Sequence, residues 1–210
     1  MQTTSTEPSR AALPSGWPVR RMPRWLLLAA IPVVVAAIAV SLAHRPSQAQ
    51  RASDLRGYLQ ALTTDVESCA GGVSESLTAL RQVEAERWSN ASDVTNGISV
   101  ATYGAANCGP AENEQIDDLE NYQAPESLDG FGLVTVVTRL IDWVAPDAVD
   151  VQTDVARLLS ASTPQARNQA QAVLTKAVAR LDAQRAAVNG PIKKAITSLG
   201  MHAAPLNLPG

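Results

Sequence analysis

Histidine, cysteine and aromatic residues are scarce in this chain of 210 residues. It has two histidines, two cysteines and only 4% aromatic residues. These numbers exclude a zinc ribbon and a disulfide-dense scaffold, and they argue against an aromatic-rich β-sandwich or barrel. The formal net charge of -3 also excludes a protein held on nucleic acid by bulk positive charge.

Catalytic motifs are missing as well. His44 adjoins a long apolar run and His202 lies near the end of the chain. Neither is therefore placed to act as the general base that activates a serine or cysteine nucleophile. Metalloprotease, hydrolase-elbow and phosphate-loop motifs are absent, and Gly130-Phe131-Gly132 lacks the third glycine of a dinucleotide site. We therefore expect no enzyme, no cofactor and no metal. A carboxylate-dependent envelope hydrolase is an alternative, because acids are plentiful.

The most prominent feature present is an uncharged apolar run, WLLLAAIPVVVAAIAVSLA, at residues 25–43. As a helix it would be roughly 28 Å long, which is close to the hydrocarbon thickness of a bilayer. Residues 1–24 hold four arginines and one glutamate, a net charge of +3. The positive-inside rule then predicts a disordered basic tail in the cytoplasm at 1–24 and a signal anchor at 25–43, with the remainder outside.

Cleavage of the apolar run is the alternative to retention. Small residues stand at the positions that signal peptidase requires in Ser41-Leu42-Ala43, so the protein would then be secreted. The run is longer than the usual apolar region of a signal peptide, about 7–15 residues, which favours a retained single-pass anchor in the cell membrane.

Beyond a predicted polar tether at 44–52, apolar residues recur at three- and four-residue steps through residues 53–199. The pattern predicts an all-α fold: one N-terminal transmembrane helix followed by an exported antiparallel bundle of about four main helices. Gly71-Gly72 predicts a kink or short break, and Ala145-Pro146 a kink or break. The last long helix is predicted to end near Asn189-Gly190-Pro191, and the alternative is that a short piece with Ile192, Ile196 and Leu199 extends it. Strand signals are nearly absent. The run GLVTVVT, from Gly132 to Thr138, is rich in β-branched residues, but the residues that follow it fit a helix and no partner strand is visible. Residues 200–210 are predicted to form a flexible tail.

The two cysteines share the inward faces of the first two predicted helices. Cys69 and Cys108 are equidistant from the turn predicted near Trp88 to Ala91, so in an antiparallel pair they lie at the same height. In an oxidising compartment they should form a disulfide. The alternative is a pair of buried free thiols.

Charge is divided unevenly along the chain. Residues 88–155 carry a net charge of -11, with Arg139 as their only base, and residues 156–210 carry +6. One interpretation is that these are complementary surfaces of a single bundle. The other is that the basic helices contact anionic lipid, an anionic wall polymer or an acidic envelope protein, through Arg167, Lys176, Arg180 and Lys194.

We expect a non-catalytic interaction or scaffold module at the cell envelope, anchored in the bilayer through residues 25–43. An alternative is a secreted or anchored helical protein that holds a small apolar ligand between its helices. Among the aromatic residues, Tyr122, Phe131 and Trp143 are candidates for a partner patch or for the core.

Overall fold

The structure, a computed structural model, describes residues 46–108 and 114–210. Every regular element within these two ranges is helical, which confirms the predicted all-α class. The predicted tail 1–24, the predicted anchor 25–43 and the first two residues of the predicted tether lie outside the described ranges. No helix among residues 46–108 and 114–210 is long and apolar enough to cross a bilayer.

Two long helices form the first hairpin. Helix α1 (Gln48–Ala85) begins earlier than predicted, because the Ser47 hydroxyl accepts a hydrogen bond from the Gln50 N–H and caps it. The described end of the tether is therefore largely helical. Helix α1 also runs through Gly71-Gly72 without interruption, since apolar residues on both sides remain buried in one face. Helix α2 (Ala91–Cys108) follows a tight turn in which Arg87 and Trp88 have positive φ.

The middle of the chain is divided into short pieces. Helix α3 (Glu114–Asn121) buries Leu119, and a 3₁₀ turn follows at Glu126–Leu128. The β-branched run lies in helix α4 (Val134–Asp142), where burial of Val136 and Leu140 on one face favours the helical period. A wide turn, Trp143–Ala148, contains the predicted kink: Ala145 has an extended backbone before Pro146. Helix α5 (Val149–Leu159) continues from it.

Helix α6 (Pro164–Ser198) begins where the Thr163 hydroxyl accepts a hydrogen bond from the Ala166 N–H. It does not end at Asn189-Gly190-Pro191, and the residues after Pro191 extend it to Ser198. The helix continues through Pro191 because Val188 and Ile192 keep its apolar face in the core.

The predicted flexible tail is also wrong, since residues 201–210 pack along the bundle as a strap. Leu206 and Leu208 are 5% and 4% exposed. The buried Asn189 side chain holds the strap: its Nδ2 donates to the Leu206 carbonyl at 3.0 Å, and its Oδ1 accepts from the Leu206 N–H at 3.0 Å. Burial of the two leucines and the paired amide contact stabilise the strap against the bundle, although it contains no helix or strand.

The core is centred on α5. This helix contacts α1, α2 and α6, and α4 packs against α6. Fully buried leucine, valine and alanine side chains from these helices belong to one hydrophobic core that includes Trp143. In the described part of the chain, α5 packs against both helices of the first hairpin, and a groove between those helices opens to solvent.

Candidate functional site

Cys69 of α1 and Cys108 of α2 form a disulfide, as the symmetric spacing about the turn predicts. Both side chains are completely buried. The bond closes the hairpin at the end opposite its turn and fixes the register of the two helices. It therefore defines which residues of α1 and α2 face each other.

Next to the disulfide, the two helices meet through glycine. A Cβ atom on Gly72 would lie 3.0 Å from the Cα of Gly104, and one on Gly104 would lie 1.9 Å from Oε1 of Gln152. Gln152 reaches into this space from α5 and is fully buried. The glycines thus allow a close helix approach into which a polar side chain from a third helix is inserted.

The amide of Gln152 has polar partners at both ends. Its Nε2 lies 3.0 Å from Sγ of Cys108 and 3.3 Å from the Ala148 carbonyl, to which it donates. Its Oε1 lies 3.4 Å from the Ser76 hydroxyl, which it shares with the Gly72 carbonyl at 2.7 Å. This buried polar cluster explains how a glutamine occupies the middle of an apolar core.

A groove of about 600 Å³ lies between α1 and α2 and opens to solvent. Its volume is in the range of ligand-binding clefts. Glycine backbone forms part of its lining, where no side chain fills the space between the helices. The lining consists of two carboxylates, three glycines, an exposed tyrosine, a valine and three polar residues: Glu67, Ser68, Gly71, Gly72, Glu75, Ser99, Val100, Tyr103, Gly104 and Asn107.

The charged residues that line the groove are all negative, and both lie on the α1 wall. Glu67 and Glu75 are exposed on the α1 wall, and α1 has no lysine or arginine between Arg56 and Arg81. The opposite wall belongs to α2, whose residues include no base. The ring of Tyr103 stands 72% exposed on that wall. A groove with carboxylates on one wall and an exposed aromatic ring on the other is suited to binding a cationic group.

The two carboxylates of the groove lie on the same helix. Glu67 and Glu75 are eight residues apart in α1, which places their Cα atoms about 12 Å apart along its axis. Among residues 46–108 and 114–210 there is also no group of three His, Cys, Asp or Glu side chains able to hold a metal ion.

A second groove continues from the first. It has a volume of about 370 Å³, shares Glu67 and Gly71 with the first groove, and runs between α1 and the strap at Leu206, Asn207 and Pro209. The two grooves together form a channel along one side of α1.

The four cations predicted as partner contacts do not form one surface. The guanidinium of Arg167 lies 4.0 Å above the Trp88 ring, where it is partly buried. Arg180 is paired within the bundle: its Nε is 3.3 Å from Asp147 and its Nη2 is 2.6 Å from Asp150.

Lys176 and Lys194 are exposed on α6. Eighteen residues are five whole helical turns, so these lysines share one side with Arg180, while Arg167 lies on the opposite side. The internal ion pairs of Arg180 with the acidic segment agree with complementary surfaces within one bundle.

The aromatic residues considered as a possible patch belong to the core. Trp143 is fully buried, and Phe131 is partly buried against the core. Tyr122 stacks on Tyr58 with ring centroids 5.6 Å apart. Burial, with a smaller contribution from Tyr122, raises the pKa of Tyr58 to about 12. Among the aromatic residues of 46–108 and 114–210, Tyr103 is the one that is largely exposed, and its sequence position alone did not distinguish it.

Sequence reasoning missed the groove because it assigned Gly71-Gly72 to a kink. The informative signal was the third glycine: Gly104 lies four residues before Cys108, and Gly72 lies three residues after Cys69. In a hairpin whose register is fixed at the cysteines, these glycines must face each other.

No protein-family model, no curated protein and no solved structure matches this chain.

Proposed function

We propose that this chain is a single-pass membrane protein whose helical bundle lies outside the cytoplasm and acts as a non-catalytic interaction module at the cell envelope. The observation that carries the proposal is the Cys69–Cys108 disulfide in the core. Cytosolic reductants keep thiols reduced, whereas exported proteins retain such bonds. A disulfide between the only two cysteines of the chain fits an oxidising compartment.

The predicted anchor at 25–43 supports the same location. Its length matches a bilayer, and the arginines before it favour a cytoplasmic N-terminus. Secretion after cleavage near Ala43 is the alternative, and it would place the same bundle outside the cell without an anchor.

The groove between α1 and α2 is the surface through which we propose that the module acts. It is exposed, it carries unequal charge, and it includes the exposed Tyr103 ring. A small apolar ligand held between the helices is the alternative.

Reporter fusions test the location. Alkaline phosphatase, which is active only after export, would be joined after residue 210 in one fusion and inserted between residues 24 and 25 of the otherwise intact chain in another. We expect activity from the first fusion alone. Activity from the second fusion alone would refute the proposed topology.

A charge-reversed variant supplies the control. Replacing Arg20, Arg21 and Arg24 by glutamate should reduce export of the domain if these arginines set its orientation. Fractionation of the unfused chain then separates a retained anchor, found at full length in membranes, from a shortened secreted product.

A further inference from the structure

We propose that the groove between α1 and α2 binds an extended segment of a partner protein that carries two basic side chains, one held by Glu75 and Tyr103 and the other by Glu67. The inference rests on the proposed role as an interaction module and names the chemistry of its partner.

The first basic side chain would be held between the two helices. Counting five residues along each helix from the disulfide places Tyr103 of α2 level with Ser74 of α1, next to Glu75. Both residues line the groove. A guanidinium or ammonium group at this height would have a carboxylate on one side and an aromatic ring on the other, which is the combination that binds organic cations.

The second basic side chain is positioned by the spacing along α1. Glu67 lies about 12 Å from Glu75 along the helix axis. An extended chain advances about 3.3 Å per residue, and side chains on the same side recur every second residue. A segment lying along the groove would therefore meet both carboxylates with basic residues four positions apart.

Charge complementarity identifies the occupant as basic. Glu67 and Glu75 form no ion pair with any of residues 46–108 and 114–210. Neither wall contributes a base to the groove. An incoming cation therefore meets two carboxylates without having to displace a positive charge from either of the described walls.

Gly71 lies in the floor shared by both grooves. A Cβ atom at this position would have no atom within 4 Å, as at Gly57 outside the grooves, so packing against the described residues does not require glycine there. The absence of a side chain leaves room for the backbone of a bound segment to approach the floor at this point.

Synthetic peptides test the inference on the full chain, purified in a non-ionic detergent. The probe is a short serine- and threonine-rich peptide with two arginines four positions apart, measured by fluorescence anisotropy. Matched peptides carry the arginines two positions apart, or carry glutamates instead. We expect the four-residue spacing to bind best, binding to weaken as salt is added, and the glutamate peptide not to bind.

Variants connect binding to the groove. Glu67→Gln, Glu75→Gln and Tyr103→Ala should each weaken binding roughly two- to fivefold, and Tyr103→Phe should retain it because the ring remains. Gly71→Leu should abolish binding by filling the floor. Gly57→Leu and Glu84→Gln are matched controls on α1 outside the groove, and they should bind as the unaltered chain does.

The outcomes separate this inference from the proposed function. Binding that ignores the arginine spacing, or that survives Gly71→Leu in a folded protein, would overturn the inference even if the reporter fusions show export. Competition by spermidine as effective as the peptide would identify a small-polyamine site and overturn the choice of a polypeptide. If the reporter fusions show that the bundle is not exported while the peptide still binds, only the proposed location is overturned.

Discussion

Replacing Gly104 by alanine should destabilise the bundle, because the added methyl group has no space. Its Cβ would lie 1.9 Å from Oε1 and 3.1 Å from Cδ of Gln152, and 3.3 Å from the Cα of Gly72. Gln152 is fully buried and bonded at both ends of its amide, so it cannot move aside without losing partners.

Three contributions set the size of the effect. Overpacking a core costs about 1–3 kcal/mol. Displacing Gln152 leaves buried polar groups without partners, at a further cost of about 1–3 kcal/mol. Alanine in place of glycine returns about 1 kcal/mol of helix propensity. The net loss should therefore be roughly 3 kcal/mol, which corresponds to a fall in Tm of about 6–12 °C for a domain of this size.

Thermal and urea unfolding, followed by circular dichroism on the oxidised full chain, measure this loss. Gly71→Ala is the matched control, since its Cβ meets nothing within 4 Å, and it should raise stability by about 0.5–1 kcal/mol. The double variant Gly104→Ala with Gln152→Ala should lose less than the two single losses combined, because the clashing atom is gone. If Gly104→Ala proves as stable as Gly71→Ala, the described contact between the helices is incorrect.

Three further predictions concern the disulfide, the strap and a carboxyl group. Reduction of Cys69–Cys108, which spans 39 residues, should lower the free energy of unfolding by about 4 kcal/mol, measured by urea titration with and without dithiothreitol; an unchanged midpoint would contradict the chain-entropy argument. Asn189→Ala should free the strap, so that carboxypeptidase removes the last residues faster than it does from an Asn207→Ala control. Burial, and secondarily the charge of Asp118, raises the pKa of Asp65. The folded state therefore binds the proton of Asp65 more tightly than the unfolded chain does, and the ionised Asp65 carboxylate lowers the stability of the fold. Asp65→Asn should consequently raise Tm at neutral pH, and this gain should shrink as the pH falls through the raised pKa; a gain independent of pH would exclude the titration of Asp65 as its cause.

Local periodicity was sufficient to predict much of the fold. Helices α1, α2 and α6 follow from apolar residues at three- and four-residue steps, and the kink at Pro146 follows from the geometry of proline. The pairing of Cys69 with Cys108 followed from equal helical rise on either side of a turn. Each of these inferences needs only near neighbours or a single antiparallel pair.

Boundaries were less predictable where a distant contact opposed a local signal. Gly190 and Pro191 resemble a helix end, yet Val188 and Ile192 hold α6 in the core on both sides of them. The strap has no periodicity, and its position depends on an asparagine 17 residues earlier in the chain.

The sequence by itself determined the helical class, the disulfide and the division of charge, because periodicity, rise per residue and composition are local properties. Tertiary structure alone decided that Gln152 fills the contact between Gly72 and Gly104, that Arg180 is neutralised by Asp147 and Asp150, and that Glu75 and Tyr103 border one groove. Those relations join residues on different helices, and their distances depend on how the helices pack.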